Sequence, residues 1–62
     1  MTPKQVLDYY KSYHYFKLRT GMSASSLWNW IKWGYVPILS QMKLEKLTGG
    51  KLKASIGDAN GH

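Results

Sequence analysis

The sequence predicts an all-α domain with four to five short helices, a central helix-turn-helix and a short irregular or extended C-terminal tail. Glycine and proline separate short segments in which apolar residues recur at three- and four-residue spacing, the pattern of one helix face. Gly21-Met22-Ser23 lies between two of these segments and combines a helix stop with a helix start. The 62 residues include no cysteine, so we expect one small domain with an apolar core and no disulfide.

The first helix is predicted to begin after Thr2 and to end near Lys11. Thr2 is a good N-cap, Pro3 suits the first helical position, and Gln5 is placed to complete a capping box. Ser12 then follows as the N-cap of the next helix. The apolar face of the first helix is predicted to consist of Val6, Leu7 and Tyr10.

The second and third helices are predicted over Ser12–Thr20 and Ala24–Trp33. Gly21 between them can adopt a positive φ that other residues resist, and Ser23 can cap the third helix. Leu18 falls outside the apolar face of the second helix and is expected to be exposed. The inward faces are predicted as Tyr13, Phe16 and Thr20 on the second helix, and Leu27, Trp30 and Ile31 on the third.

The fourth helix is predicted over Ile38–Leu47, with Pro37 at its first position and Gly49 among the residues that end it. The segment 51–56 is read as a short extended segment, or as irregular chain packed back on the helices through its apolar residues. Residues 57–62 are predicted to be a disordered tail, which leaves a domain of residues 1–56. The core residues expected beyond the third helix are Met42, Leu44 and Leu47, with Leu52 and Ile56 as the packing residues of the tail.

Nine Lys and Arg residues against three acidic residues give a formal net charge of +6, which favours a polyanionic partner. The alternative is that the charge only keeps a small protein soluble. The three acids lie in separate segments, the two histidines are far apart, and no glycine-rich phosphate loop is present. We therefore expect no enzyme activity, metal, cofactor or small-molecule substrate. No apolar run is long enough to cross a bilayer and no signal peptide is recognised, so a soluble cytoplasmic protein is expected.

The outward face of the third helix carries the residues predicted to bind DNA. Once Leu27 and Trp30 are buried, Trp28 and Asn29 must point outward. In a major groove, an Asn amide can pair with adenine, a Ser hydroxyl can donate or accept, and apolar groups can pack on a thymine methyl or a sugar. Lys32, further along, is expected near a phosphate. The base-facing residues predicted in this way are Ala24, Ser25, Trp28 and Asn29.

The start of the second helix is predicted to bind the DNA backbone, because its free N–H groups attract a phosphate. Tyr13 and His14 add side-chain donors there, and Lys17 and Arg19 add positive charge. An ordinary solvated surface would give the same pattern at His14, Lys17 and Arg19. For the third helix, the alternative is that all three tryptophans are core residues and the helix is buried on every side.

The chain resembles the Cro-type repressors of lambdoid phages and prophages, within the lambda-repressor-like helix-turn-helix group. The likeness runs from about Val6 to Leu52. It implies repression of transcription in a bacterial host by a small protein that binds palindromic operators, often as a dimer, with its third helix reading bases. Where the family usually has alanine, four residues before the turn glycine, this chain has Lys17. The likeness depends on Tyr10, Gly21-Met22-Ser23, Leu27, Trp30, Val36-Pro37, Leu44 and Thr48-Gly49-Gly50-Lys51-Leu52.

By position, the resemblance also implies site residues. It assigns Lys32 to the DNA backbone, and it puts Tyr13 where the family often has a glutamine that contacts a phosphate. The residues that it implies to face bases are Ser23, Ala24, Ser25, Trp28 and Asn29.

Few apolar residues remain once the core is filled, so a homodimer is expected to be weak in solution and completed on DNA. The main alternative function is a small protein-protein interaction module with an exposed Trp/Tyr patch. A basic amphipathic peptide acting on anionic membranes is a third reading, which the Gly and Pro breaks between the aromatic segments disfavour. The candidate dimer residues are Trp33, Tyr35, Leu52 and Ile56, and the candidate patch residues are Trp28, Trp33 and Tyr35.

Overall fold

The computed structural model describes residues 1–59, which form four α-helices and a short C-terminal 3-10 turn and contain no strand. The four helices confirm the predicted all-α class. Residues 57–59 of the predicted disordered tail lie in the 3-10 turn, and residues 60–62 lie outside the described residues. The elements are α1 Pro3–Tyr10, α2 Tyr13–Thr20, α3 Ala24–Trp33, α4 Ile38–Leu47 and the 3-10 turn Ile56–Ala59.

The first two helices begin with the predicted side-chain caps. The Thr2 hydroxyl accepts a hydrogen bond from the Gln5 N–H at 3.2 Å, and the Gln5 side-chain oxygen accepts one from the Thr2 N–H at 2.8 Å. At α2, the Ser12 hydroxyl accepts from the N–H of Tyr15 at 3.1 Å. Lys11 ends α1 in the left-handed conformation, with φ 73°, which residues other than glycine seldom adopt. These local bonds set the bounds of α1 and α2.

Phe16 lies at the centre of the core and joins the first three helices. Its side chain has no exposed surface, and its ring meets Tyr10 of α1 and Trp30 of α3 edge to face, at centroid distances of 5.5 and 5.6 Å. This geometry matches the preferred quadrupole arrangement of aromatic pairs. Burial, with a smaller contribution from Tyr9, raises the pKa of the Tyr10 phenol. The buried apolar residues are Met1, Val6, Tyr10, Phe16, Leu27, Trp30, Val36, Leu44 and Leu52.

Some of the core predictions are wrong. Ile31 is 39% exposed, because the buried face of α3 is narrow, consisting of Leu27 and Trp30, and Ile31 lies at its edge. On α4, Met42 and Leu47 are 56% and 49% exposed, because the buried face contains Gln41 and Leu44 instead. Met42 lies about 100° around the helix from Gln41, and Leu47 lies about 60° from Leu44, so both are beside the buried face and not on it. In the tail, Leu52 packs into the core as predicted, whereas Ile56 is 74% exposed.

Gln41 is fully buried and connects distant parts of the chain. Its side-chain oxygen accepts hydrogen bonds from the Met1 nitrogen at 2.7 Å and from the Ser55 N–H at 2.8 Å. Its side-chain nitrogen donates to the Val36 carbonyl at 2.8 Å. Among the described residues, every buried side-chain nitrogen or oxygen has a hydrogen-bond partner. The amide of Gln41 therefore holds the chain start and the C-terminal segment on α4.

Thr48 and Glu45 attach the same C-terminal segment at the end of α4. The buried Thr48 hydroxyl donates to the Leu44 carbonyl at 2.8 Å and accepts from the Leu52 N–H at 3.0 Å. The Glu45 carboxylate accepts from the Ala54 N–H at 2.6 Å. These bonds fix the segment in irregular chain, so of the two predicted alternatives the irregular one is observed and the short extended segment is not.

Replacing Gln41 by Met should lower the free energy of unfolding by about 1–3 kcal/mol, because the Val36 carbonyl and the Ser55 N–H lose their buried partner. Urea unfolding followed by circular dichroism measures the change. The reciprocal swap, Met42→Gln, affects an exposed position and should stay within about 0.5 kcal/mol. Equal effects of the two swaps would contradict the structural role of Gln41.

Candidate nucleic-acid interface

The turn between α2 and α3 is stabilised by hydrogen bonds of Thr20. Its hydroxyl donates to the Phe16 carbonyl at 2.6 Å and accepts from the Met22 N–H at 3.0 Å. Gly21 follows with φ 73°, a conformation that strongly favours glycine. Thr20 is buried, so the turn is anchored to the core at its start, whereas Gly21 and Ser23 are exposed. The start of α3 is therefore fixed relative to α2.

Ser23 caps α3, as predicted. Its hydroxyl oxygen accepts a hydrogen bond from the Ser25 N–H at 3.1 Å, and both side chains are exposed. The cap uses an acceptor position of the Ser23 oxygen and leaves its hydroxyl hydrogen free to donate. Both hydroxyls thus lie at the solvent-facing start of α3.

The two sides of α3 differ sharply in exposure. Leu27 and Trp30 are 0% and 4% exposed, whereas Trp28 is 54% exposed and Asn29 is partly exposed. Trp33, at the end of the helix, is 50% exposed. The alternative in which all three tryptophans are core residues is therefore excluded. The predicted outward direction of Trp28 and Asn29 is confirmed.

The outward face of α3 consists of two rows of side chains. Ala24 and Trp28 are four residues apart and form an apolar row, and Ser25 and Asn29 form a polar row beside it. Lys32 lies one further turn along the helix, with its ammonium nitrogen 5.2 Å from the centroid of the Trp28 ring. This is the geometry of a cation–π contact. The face thus offers apolar, hydrogen-bonding and cationic groups within about two turns.

The cationic and aromatic side chains of α2 lie on two flanks. Tyr13 and Lys17 are four residues apart on one flank, and Tyr15 and Arg19 are four apart on the other, about 200° around the helix. His14 and Lys17 are exposed, and Tyr13 is partly buried against the core. The predicted phosphate residues are therefore not all on one side. Arg19 lines a separate cleft of about 580 Å³, whose other lining residues are Tyr9, Tyr10, Lys11, Tyr15, Leu47 and Thr48.

Positive charge in the helix-turn-helix is not balanced by nearby acids. Residues 13–33 contain two lysines, one arginine and no acidic residue. Asp8, Glu45 and Asp58 lie in α1, α4 and the 3-10 turn. The last two are already engaged, Glu45 with the Ala54 N–H and Asp58 with the Met1 nitrogen at 3.3 Å. The surface of α2 and α3 therefore attracts anions.

Exposed apolar side chains outside the predicted site were only partly anticipated. Trp33 and Tyr35 stack, with ring centroids 5.7 Å apart and planes at 27°. They therefore stay candidates for a contact with a second copy or with a protein partner. Leu52 is 6% exposed, so the prediction that it can form a dimer contact is wrong. Leu39 is 77% exposed, three residues before the exposed Met42 on α4. Leu39 was not predicted as a contact residue, because Met42 on the same helix was predicted to lie in the core.

Neither a metal site nor a membrane-spanning helix is found in residues 1–59. No three His, Cys, Asp or Glu side chains of this region are grouped as metal ligands. Its helices are also too short and too polar to traverse a bilayer.

Comparison with known proteins identifies the fold. No family model matches the chain, and no curated protein matches it. The solved structure of N15 Cro complexed with consensus operator DNA is similar, with a TM-score of 0.84 over 92% of this chain and 90% of that chain. The two sequences are 23% identical, so the likeness establishes the fold. The chain thus has the Cro-type phage repressor fold, as its resemblance in sequence predicted.

Proposed function

We propose that the protein is a sequence-specific, double-stranded DNA-binding transcriptional repressor of the phage or prophage Cro type, with α3 in the major groove of a palindromic operator. The difference in exposure between the two sides of α3 carries this proposal, because Leu27 and Trp30 are buried while Trp28 and Asn29 face outward. The fold shared with N15 Cro, solved in complex with operator DNA, supports the same function. The protein is proposed to act in the host cytoplasm, without enzyme activity or a cofactor.

In this proposal, the two rows of α3 read different features of a base pair. The Asn29 amide pairs with N6 and N7 of adenine, and the Ser25 hydroxyl donates to or accepts from a neighbouring base edge. Ser23, whose hydroxyl hydrogen is free, donates at the start of the helix. Ala24 and Trp28 supply apolar contacts.

Contacts to the DNA backbone come from the surroundings of α3. The start of α2 presents free N–H groups to a phosphate, with donors from Tyr13 and His14 and positive charge from Lys17. Lys32 reaches a phosphate from the end of α3. Arg19 lies on the opposite flank of α2, so it binds a separate stretch of phosphate or attracts DNA over a longer range.

A second copy of the chain is proposed to bind the other half of the operator. Leu39 and Met42 lie three residues apart on α4 and are both exposed, and Ile56 is also exposed. This apolar surface suits a contact between copies, but it is small beside the roughly 800 Å² per partner of a stable interface. The homodimer is therefore proposed to be weak in solution and completed on DNA.

Selection of random duplexes by the purified full chain, followed by sequencing, tests the proposal. We expect a palindromic consensus and an affinity that falls steeply with salt, because phosphate contacts release counterions. If no sequence is enriched, or if the affinity does not change with salt concentration, the proposal is overturned.

The competing function is a protein-protein interaction module, favoured by the exposed Trp28 and by the Trp33–Tyr35 stack. That module predicts binding to a protein partner with little salt dependence.

Replacing Asn29 by Ala should weaken binding to the preferred duplex by roughly 1–3 kcal/mol and relax the preference at one base pair. The reason is the loss of a bidentate amide contact to adenine. Titrations against duplexes that vary at each position measure both effects. An equal loss of affinity for every sequence would show that Asn29 does not read a base.

Replacing Lys32 by Ala should weaken binding to all duplexes alike and reduce the slope of log K against log salt by about one. Lys43→Ala is the matched control, because it removes the same charge from an exposed position on α4. It should leave the salt slope almost unchanged. A change in the selected sequence with Lys32→Ala would contradict the phosphate assignment.

A further inference from the structure

Trp28 is an unusual residue to find exposed on the outward face of α3. Just over half of its side chain, 54%, is accessible to solvent, although its neighbours Leu27 and Trp30 are buried. Phe16 and Trp30 fill the aromatic part of the core and contact each other, so Trp28 is not part of that core. An exposed indole on a face that also carries Ser25 is a surface available to a partner.

The surroundings of Trp28 restrict what its ring can bind. The Lys32 ammonium lies over one ring face, 5.2 Å from the centroid. With 54% of the side chain exposed, part of the ring remains accessible, and the Ala24 methyl lies one turn earlier on the same apolar row. The remaining surface is thus apolar and flanked by the polar row of Ser25 and Asn29. Such a surface fits a small apolar group that lies next to a hydrogen-bonding group.

We propose that Trp28, with Ala24, binds the C5-methyl group of a thymine in each operator half-site; this inference rests on the proposed function. In the major groove, the thymine methyl is the apolar group that base edges present. An A·T pair also presents the adenine N6 and N7 that suit the Asn29 amide, in the neighbouring row. The two rows of α3 therefore select A·T-containing steps by two different chemical features.

Two alternative contacts of Trp28 with DNA would give different experimental results. Packing of the indole on a deoxyribose would add affinity without distinguishing thymine from uracil. Donation from the indole N–H to a base acceptor would depend on that N–H, which phenylalanine lacks. Removal of a single methyl group from the DNA, combined with two substitutions of Trp28, separates these contacts.

The experiment uses the full chain and the duplex obtained by random selection, with each thymine replaced in turn by uracil. We expect one position per half-site at which loss of the methyl weakens binding about fourfold, the effect of one buried methyl-sized group. Trp28→Ala should bind the thymine and uracil duplexes equally, and Trp28→Phe should keep the preference. Urea unfolding checks that these variants at an exposed position stay folded.

Lys17→Ala is the matched control, because it removes a positive charge on α2, away from Trp28, that is proposed to attract a phosphate. It should weaken binding to both duplexes and leave the thymine-to-uracil ratio unchanged. At the sensitive position, 5-methylcytosine should also bind better than cytosine by a similar factor. The inference is overturned if no thymine-to-uracil change matters, if Trp28→Ala keeps the preference, or if Trp28→Phe loses it. A selection that enriches no sequence defeats the proposed function as well, whereas an enriched sequence without methyl dependence defeats this inference alone.

Discussion

The orientation of α3 depends on the contact between Phe16 and Trp30. Phe16 is fully buried between α1 and α3, and it meets both Tyr10 and Trp30 through ring edges. Edge-to-face contacts match the quadrupoles of the rings and add about 0.5–1.5 kcal/mol to the burial of each pair, which favours the orientation of α3 that keeps Trp30 inward. With Trp30 fixed inward, helix geometry turns Trp28 outward, about 200° away. The same contact therefore determines both the core and the surface proposed to read DNA.

Hydrogen bonds of buried side chains supplement an apolar core that is too small to hold the whole chain by itself. A domain of 62 residues buries a limited fraction of its surface, and this one has no disulfide. Gln41 and Thr48 therefore attach the C-terminal segment by accepting hydrogen bonds from the Ser55 and Leu52 N–H groups. The rotation of α4 that buries Gln41 leaves Leu39 and Met42 exposed. The apolar surface proposed for the second copy is thus a consequence of how the C-terminal segment is held.

The sequence predicts the helices well because their ends depend on local chemistry. Caps such as Ser12 and Ser23 act within three residues, and the spacing of Leu27 and Trp30 identifies the buried face of α3. The buried face of α4 could not be predicted in this way. The hydrogen-bond partners of Gln41 include Ser55, 14 residues away, and Met1, 40 residues away, so the spacing of apolar residues along α4 does not indicate that Gln41 is buried. The helical period is enough to show that Lys17 and Arg19 lie on different flanks of α2.

Positive charge alone cannot account for the selectivity proposed here, because phosphates carry no sequence information. The absence of acids from residues 13–33 favours approach of this surface to DNA, whatever the sequence. Discrimination must then come from the few outward side chains of α3, among which Asn29 alone can make a bidentate amide contact. Such a contact supplies about 1–3 kcal/mol, whereas specific sites exceed nonspecific DNA by about 4–10 kcal/mol. One copy of α3 falls short of that difference, so two half-sites and the apolar row of Ala24 and Trp28 are needed to reach it.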